Sequence, residues 1–216
     1  MGYTTFTKKL VQSVLDKAEV KYIIDLGSCN DYDIGGSNPP FISDWYKSKG
    51  IEYSCIDLAG DNDALEFDLS QPIELIELAD LIVDAGTSEH VVQMSGYEST
   101  AFHEGYINSI YPTEVKDAAL GYYNCWLNKF NFCKVGGYIV SENPKTGHWK
   151  DHGYTYIDKS FYENLISISD LEIVDIGEHG AMGNWETGVN VYSVLKKTGE
   201  SFPPFELFKT LPLKQS

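Results

Sequence analysis

Positive charge is scarce in this chain. Sixteen Lys and Arg stand against 32 Asp and Glu over 216 residues, a formal net charge of −16. No basic run exceeds two residues, as at Lys8–Lys9 and Lys196–Lys197. A protein that neutralises a phosphate backbone needs a basic footprint, so a nucleic acid is not expected as partner. The charge reads as an acidic, solvated surface. Long apolar runs are missing as well. Nothing approaches the ~20 residues of a membrane span, and the opening MGYTTFTKKLVQSVL lacks the apolar centre of a signal peptide. Gly2 does not begin a myristoylation pattern, because Phe6 stands where Ser or Thr is required. A cytoplasmic protein without a membrane partner is expected. The four cysteines, Cys29, Cys55, Cys125 and Cys133, form no C-x-x-C pair and have no His at zinc-ligand spacing. They read as reduced thiols. With H-x-H and H-E-x-x-H also absent, no metal is expected.

What is present is ordinary for a globular domain: 43% hydrophobic and 22% charged residues. Aromatics reach 13%, many of them tyrosine, and most belong in a core, with a ligand site as a second use. One domain over residues 1–198 is expected, with an insertion around 95–111 that has no clean period. A tail over 199–216 is expected to lie on the surface or fray.

Phe6, Leu10, Val11, Val14 and Leu15 make an apolar stripe, predicting a helix over 5–18. Short β-branched or apolar runs predict strands at 20–25, 51–56, 79–83 and 138–141, each running into a turn. Pro39–Pro40 suits a helix start before residues 41–49, and Pro72 another short helix. From Pro112, the steps Val115, Ala119, Tyr122, Trp126, Phe130 and Cys133 predict a long amphipathic helix ended by Gly136–Gly137. A helix carrying Phe161, Tyr162, Leu165 and Ile166 follows Asp158. Strands at 171–176 and 189–195 close the pattern, joined by a Gly-rich loop. Strands alternating with helices give an α/β fold with a parallel sheet whose ligands bind at the carboxyl edge. The last two strands have no helix between them, so an antiparallel pairing is expected there.

The chemistry gathers at those strand ends. After the first strand comes Asp25-Leu-Gly27-Ser28-Cys29-Asn-Asp31. The second ends at Asp57, followed by Glu66-Phe67-Asp68-Leu69, and the third at Asp84-Ala-Gly86-Thr87-Ser-Glu-His90-Val. A missing Cβ lets backbone approach a ligand closely, and a carboxylate at the second strand end suits ribose hydroxyls. In these motifs the chain resembles the class I S-adenosylmethionine-dependent methyltransferases. Asp25 and Gly27 match the first motif, and Cys29 and Asp31 replace its later glycines, with Gly35–Gly36 as the alternative close approach. The resemblance implies a Rossmann-like three-layer sandwich: a mostly parallel, seven-stranded sheet with an antiparallel last strand. It also implies S-adenosylmethionine as cofactor. Asp25, Gly27 and Ser28 would lie along it, Asp57 and Leu58 at the ribose, Asp68 and Leu69 at the adenine, and Gly86 and Thr87 at the methionine end. Ser88 also suits an N-cap, and His90 a packed residue at a helix start.

The loop Glu142-Asn-Pro-Lys-Thr-Gly-His148-Trp149-Lys-Asp-His152 follows the fourth strand and reads as a substrate pocket. His152, His148 and His90 are the candidate catalytic groups, because imidazole titrates nearest neutral pH; ordinary loop histidines are the alternative. Methyl transfer to a small-molecule or sugar-like acceptor is the leading expectation. A cofactor-binding or regulatory module without catalysis is the second. A nicotinamide enzyme ranks last, because Gly27, Cys29 and Tyr32 fail G-x-G-x-x-G at two of three places.

Overall fold

The computed structural model of the protein describes residues 2–33, 40–58, 63–75, 77–94, 115–180 and 188–215. The 95–111 insertion, the helix start at Pro112, Gly35–Gly36 and most of the loop joining the last two strands lie outside them. The seven strands of the main sheet are β1 (Tyr22–Leu26), β2 (Glu52–Asp57), β3 (Leu65–Glu66), β4 (Ala79–Ala85), β5 (Cys133–Pro144), β6 (Leu171–Gly180) and β7 (Val189–Lys197). Their order across the sheet is β6-β7-β5-β4-β1-β2-β3. From β5 to β3 every pairing is parallel, while β7 runs antiparallel to both β5 and β6. The helices are α1 (Thr5–Leu15), α2 (Ser43–Ser48), α3 (Ala118–Phe132), α4 (Lys159–Leu165) and α5 (Phe205–Phe208).

Alternation along the strands divides the core in two. Ile23, Leu81, Val83 and Val140 face α1 and α2, while Ile24, Ile82, Ile139 and Leu195 face α3, α4 and α5. Each buried aliphatic side chain contributes roughly 1.5–3 kcal/mol. Thr4 starts α1 through a capping box, its hydroxyl accepting from Phe6 and Thr7 N–H while the Thr7 hydroxyl accepts from Thr4 N–H. In α3 the Asp117 carboxylate accepts from Leu120 N–H at 2.9 Å, so the helix begins there. Tyr122, Trp126 and Phe130 are all buried, as their spacing requires.

Four local expectations fail for identifiable reasons. Gly136–Gly137 does not end α3. The chain becomes extended at Cys133, and β5 takes in a bulge between the pairs Ala79–Cys133 and Leu81–Tyr138, with Gly136 at φ 89°. No helix follows Pro72 among the described residues. Ile73 N–H donates to Asn128 Oδ1, and the Leu69, Ser70 and Gln71 carbonyls accept from Asn128 and Asn124, so α3 side chains take the hydrogen bonds that a helix would use. Glu89–His90 opens no α-helix; Ser88–His90 is a single 3₁₀ turn. The C-terminal tail is part of the core: Phe208 is wholly buried among Tyr122, Tyr123 and Phe161. Leu213–Gln215 then pairs with Thr155–Ile157.

Candidate functional site

Strand register sets the site. Leu26 lies beside Ile56 and Asp84, Asp57 beside Glu66, and Asp84 and Ala85 beside Ser141 and Glu142. These residues form one row at the carboxyl edge. At its centre Gly27 turns with φ 85°, a conformation that costs other residues about 1–2 kcal/mol, and donates its N–H to Ile56 O at 2.7 Å. The next amide, Ser28 N–H, donates to Asp57 Oδ2 at 2.7 Å. The Ser28 hydroxyl is buried without a hydrogen-bond partner among the described residues. Phe67 N–H donates to Asp57 O, bringing the half-exposed Phe67 ring and Asp68 to the end of β2. Asp68 Oδ1 accepts from Ser70 N–H, and Leu69 beneath is buried.

The two departures from the glycine pattern have structural uses. Cys29 fills core space, and buried Asp31 pairs with Lys8 at 2.9 Å while its backbone runs parallel to Gly2–Tyr3. Two other residues turn away from the edge. The Asp25 carboxyl is fully buried, accepting from the Tyr3 hydroxyl at 2.6 Å and the Tyr53 hydroxyl at 3.1 Å. Thr87 Oγ1 donates to Leu26 O at 2.5 Å, tying two strand ends together. Neither side chain is directed as its motif led us to expect, because each satisfies a buried neighbour.

Burial pushes Asp25 up to about 8, against the lowering effect of its two tyrosine partners. The folded value lies above the unfolded one, so the stability tied to the protonated form is complete below about pH 4 and falls away as pH rises through 8. Asp25→Asn, which keeps a carbonyl for a tyrosine hydroxyl, should flatten that fall. Urea unfolding midpoints at pH 6 and pH 9 check this; an equal fall in wild type and variant would count against it.

A buried ion pair escaped the sequence reading. Lys129 Nζ from α3 meets Asp84 Oδ2 at 2.8 Å with both side chains wholly buried, and lies 3.5 Å from the Trp126 ring centroid. Asp84 Oδ1 accepts from Thr87 and Ser88 N–H, which fixes the turn that follows. Burial acts to raise the Asp84 carboxyl, but the Lys129 ammonium and Ser88 outweigh it and hold it below the usual range. The signal in sequence was a lysine on the apolar stripe of α3.

Past that turn lies a cleft of about 220 Å³, lined among others by Gly86, Glu89, His90, Glu142, Trp149 and His152. Glu89 is buried with Oε2 accepting from Asn143 at 3.2 Å, and burial, with help from the Asp84 charge, pushes it up to about 8. Burial also lowers His90 to about 4 and lowers His152. The two rings lie 5.0 Å apart. His148 is not a cleft residue; its N–H closes a turn onto Lys145 O. His179 sits 2.9 Å from Glu142 Oε1 and stacks on Phe6. Burial would raise Glu142, but this bond and those from Asn190 and Thr7 hold it low.

The His152 loop is pinned. The Tyr156 hydroxyl donates to Trp149 O and accepts from His152 and Gly153 N–H, at 2.8–3.0 Å, while Trp149 and Asp151 take positive φ. Tyr156→Phe should lose about 1–3 kcal/mol in urea unfolding, because it removes the hydroxyl that bonds Trp149 O and the His152 and Gly153 amides. An unchanged midpoint would show that the loop holds its shape without the hydroxyl.

Similar solved structures exist. One is the N-methyltransferase NodS from Bradyrhizobium japonicum WM9 in complex with S-adenosyl-L-homocysteine: TM-score 0.53, 13% identity, 91% of this chain and 89% of that chain covered. Another is the Burkholderia thailandensis 1,6-didemethyltoxoflavin-N1-methyltransferase with bound 1,6-didemethyltoxoflavin and S-adenosylhomocysteine: TM-score 0.53, 10% identity, 88% of this chain and 76% of that chain covered. No protein-family model and no curated protein sequence matches the chain. At such identities the likeness is one of fold. The chain has the α/β fold of the class I S-adenosylmethionine-dependent methyltransferases.

Proposed function

We propose that the protein is an S-adenosylmethionine-dependent methyltransferase acting on a small-molecule or sugar-like acceptor. The observation that carries this reading is the Ser28–Asp57 bridge: a Gly27 turn closed onto the carboxylate at the next strand end, beside a buried Ser28 hydroxyl without a partner among the described residues. A buried polar atom left unpaired is costly, and a ligand in that turn would satisfy it. Such a turn at the carboxyl edge suits an adenosyl ligand. Asp57 and Leu58 would hold the ribose, and Phe67, Asp68 and Leu69 the adenine. Gly27, Ser28, Gly86 and the backbone of Thr87 would follow the amino-acid end.

When bound, the cofactor supplies a methyl group on a sulfonium. Transfer from it needs an acceptor held in line, so positioning dominates. The cleft beyond Gly86 would give that position, with His90 and His152 at the acceptor and Trp149 as an apolar wall. The acidic surface favours a small acceptor over a nucleic acid.

A screen of hydroxylated and amino metabolites for S-adenosylhomocysteine release tests this. Release with at least one acceptor is the expected result. Tight binding of S-adenosylhomocysteine with no release across the screen favours instead a cofactor-holding module without catalysis, a reading that the inward-facing Thr87 and Asp25 side chains support.

A further inference from the structure

Glu89, His90 and His152 offer three ligand atoms that all lie within 4.8 Å of one another. Glu89 Oε1 is 3.8 Å from His90 Nε2 and 3.9 Å from His152 Nε2. Metal–ligand bonds of about 2.1 Å at a tetrahedral centre place neighbouring ligand atoms about 3.4 Å apart. The two edges from Glu89 Oε1 therefore need to contract by only about half an ångström, and the His90–His152 edge, within 4.8 Å, closes by rotation of the partly exposed imidazoles. We propose that these three side chains bind one divalent transition-metal ion, with its remaining positions open to the cleft.

The surroundings are built for a carboxylate ligand. Glu89 Oε2 accepts from Asn143 Nδ2, and Asn143 is itself fixed by the Ser88 hydroxyl and by the Tyr162 hydroxyl donating to its Oδ1. That arrangement turns Oε1 toward the two histidines, and such hydrogen-bonded support is what metal-binding carboxylates have. The loop bearing His152 is clamped against Glu89 from the other side. Tyr154 N–H donates to Glu89 O at 2.8 Å, and a Cβ at Gly153 would lie only 2.9 Å from Glu89 Cγ. Glycine there lets the loop come close enough for His152 to reach across.

Two imidazoles and a carboxylate select an ion such as Zn²⁺, Co²⁺, Fe²⁺ or Mn²⁺ rather than a soft ion held by thiolates. The sequence pattern missed the set because His152 lies far along the chain from Glu89–His90 and joins it only through the loop clamp. If the cofactor reading holds, the ion deepens it: the acceptor is an oxygen donor, whose hydroxyl the ion binds and polarises in the cleft. Metal binding itself needs no cofactor, so the two readings can fail separately.

The test is a Co²⁺ titration of the full chain, first stripped with a chelator, followed by visible absorption and by metal analysis after gel filtration. One equivalent with ligand-field bands is expected. His90→Ala and His152→Ala, at partly exposed positions that the fold tolerates, should each weaken binding about tenfold or more; Glu89→Gln should do the same. Less than half an equivalent in the wild type, or an affinity that both histidine variants leave unchanged, overturns the proposal. S-adenosylhomocysteine binding, titrated separately on the metal-free chain, reports on the cofactor site alone.

Discussion

Lys129→Met should cost about 3–5 kcal/mol in urea unfolding, the largest loss expected from a single substitution near the site. The ammonium and the Asp84 carboxylate are both withdrawn from solvent, so neither is stabilised by water. Their desolvation is offset by mutual attraction and by the Thr87, Ser88 and Ser141 hydrogen bonds. Removing one partner strands the other charge, the costly way to break a buried pair. Without Lys129, burial should outweigh the Ser88 bonds that remain, and the folded pKa of Asp84 should rise above the unfolded one. Stability held by the protonated carboxyl is then present below about pH 4 and lost as pH rises. The deficit of the variant should therefore grow from acid toward neutral pH. Asp84→Asn added to Lys129→Met should restore much of the loss, because the amide oxygen still caps the Ser88–His90 turn. A deficit below about 1 kcal/mol at pH 7 would show that solvent reaches the pair.

The second large effect concerns Asp57. Under the proposed reading its carboxylate accepts from two ribose hydroxyls while Oδ2 steadies the Ser28 amide. Hydrogen bonds to a charged group contribute about 1.5–3 kcal/mol each, so losing two with Asp57→Ala should weaken S-adenosylhomocysteine binding by about a hundredfold or more. Asp57→Asn keeps an oxygen for Ser28 N–H and should fall between the two. The variant chain should stay folded, because Asp57 ends its strand only partly buried. A loss smaller than tenfold would remove Asp57 from the ribose.

The strands were legible in sequence where several apolar residues ran together, as in Tyr22–Leu26 and Ala79–Ala85. So was α3, whose Tyr122, Trp126 and Phe130 repeat at helical spacing. Leu65–Glu66 was not, because a two-residue edge strand with both residues exposed leaves no periodic trace. The segment after Pro72 misled because proline suits a helix start, while the deciding partners, Asn124 and Asn128, lie some 55 residues away. Phe208 likewise looked like tail until the helix it packs on was in place.

The candidate site divides the same way. Gly27 and Asp57 were readable because turn geometry and a strand-end carboxylate are local properties. The inward turn of Asp25 was hidden, since it depends on Tyr3 and Tyr53 hydroxyls arriving from other elements. His90 and His152 were named one by one; that they meet over Glu89 follows from the Tyr156 and Gly153 contacts, which no spacing rule encodes.

Calorimetric titration of the purified chain with S-adenosylhomocysteine, beside a parallel titration with NAD, tests the central claim most directly. The account predicts saturable one-to-one binding of the adenosyl compound, none of NAD, and the loss described for Asp57→Ala. No heat from the adenosyl compound at millimolar concentration, or equal binding of NAD, would contradict it.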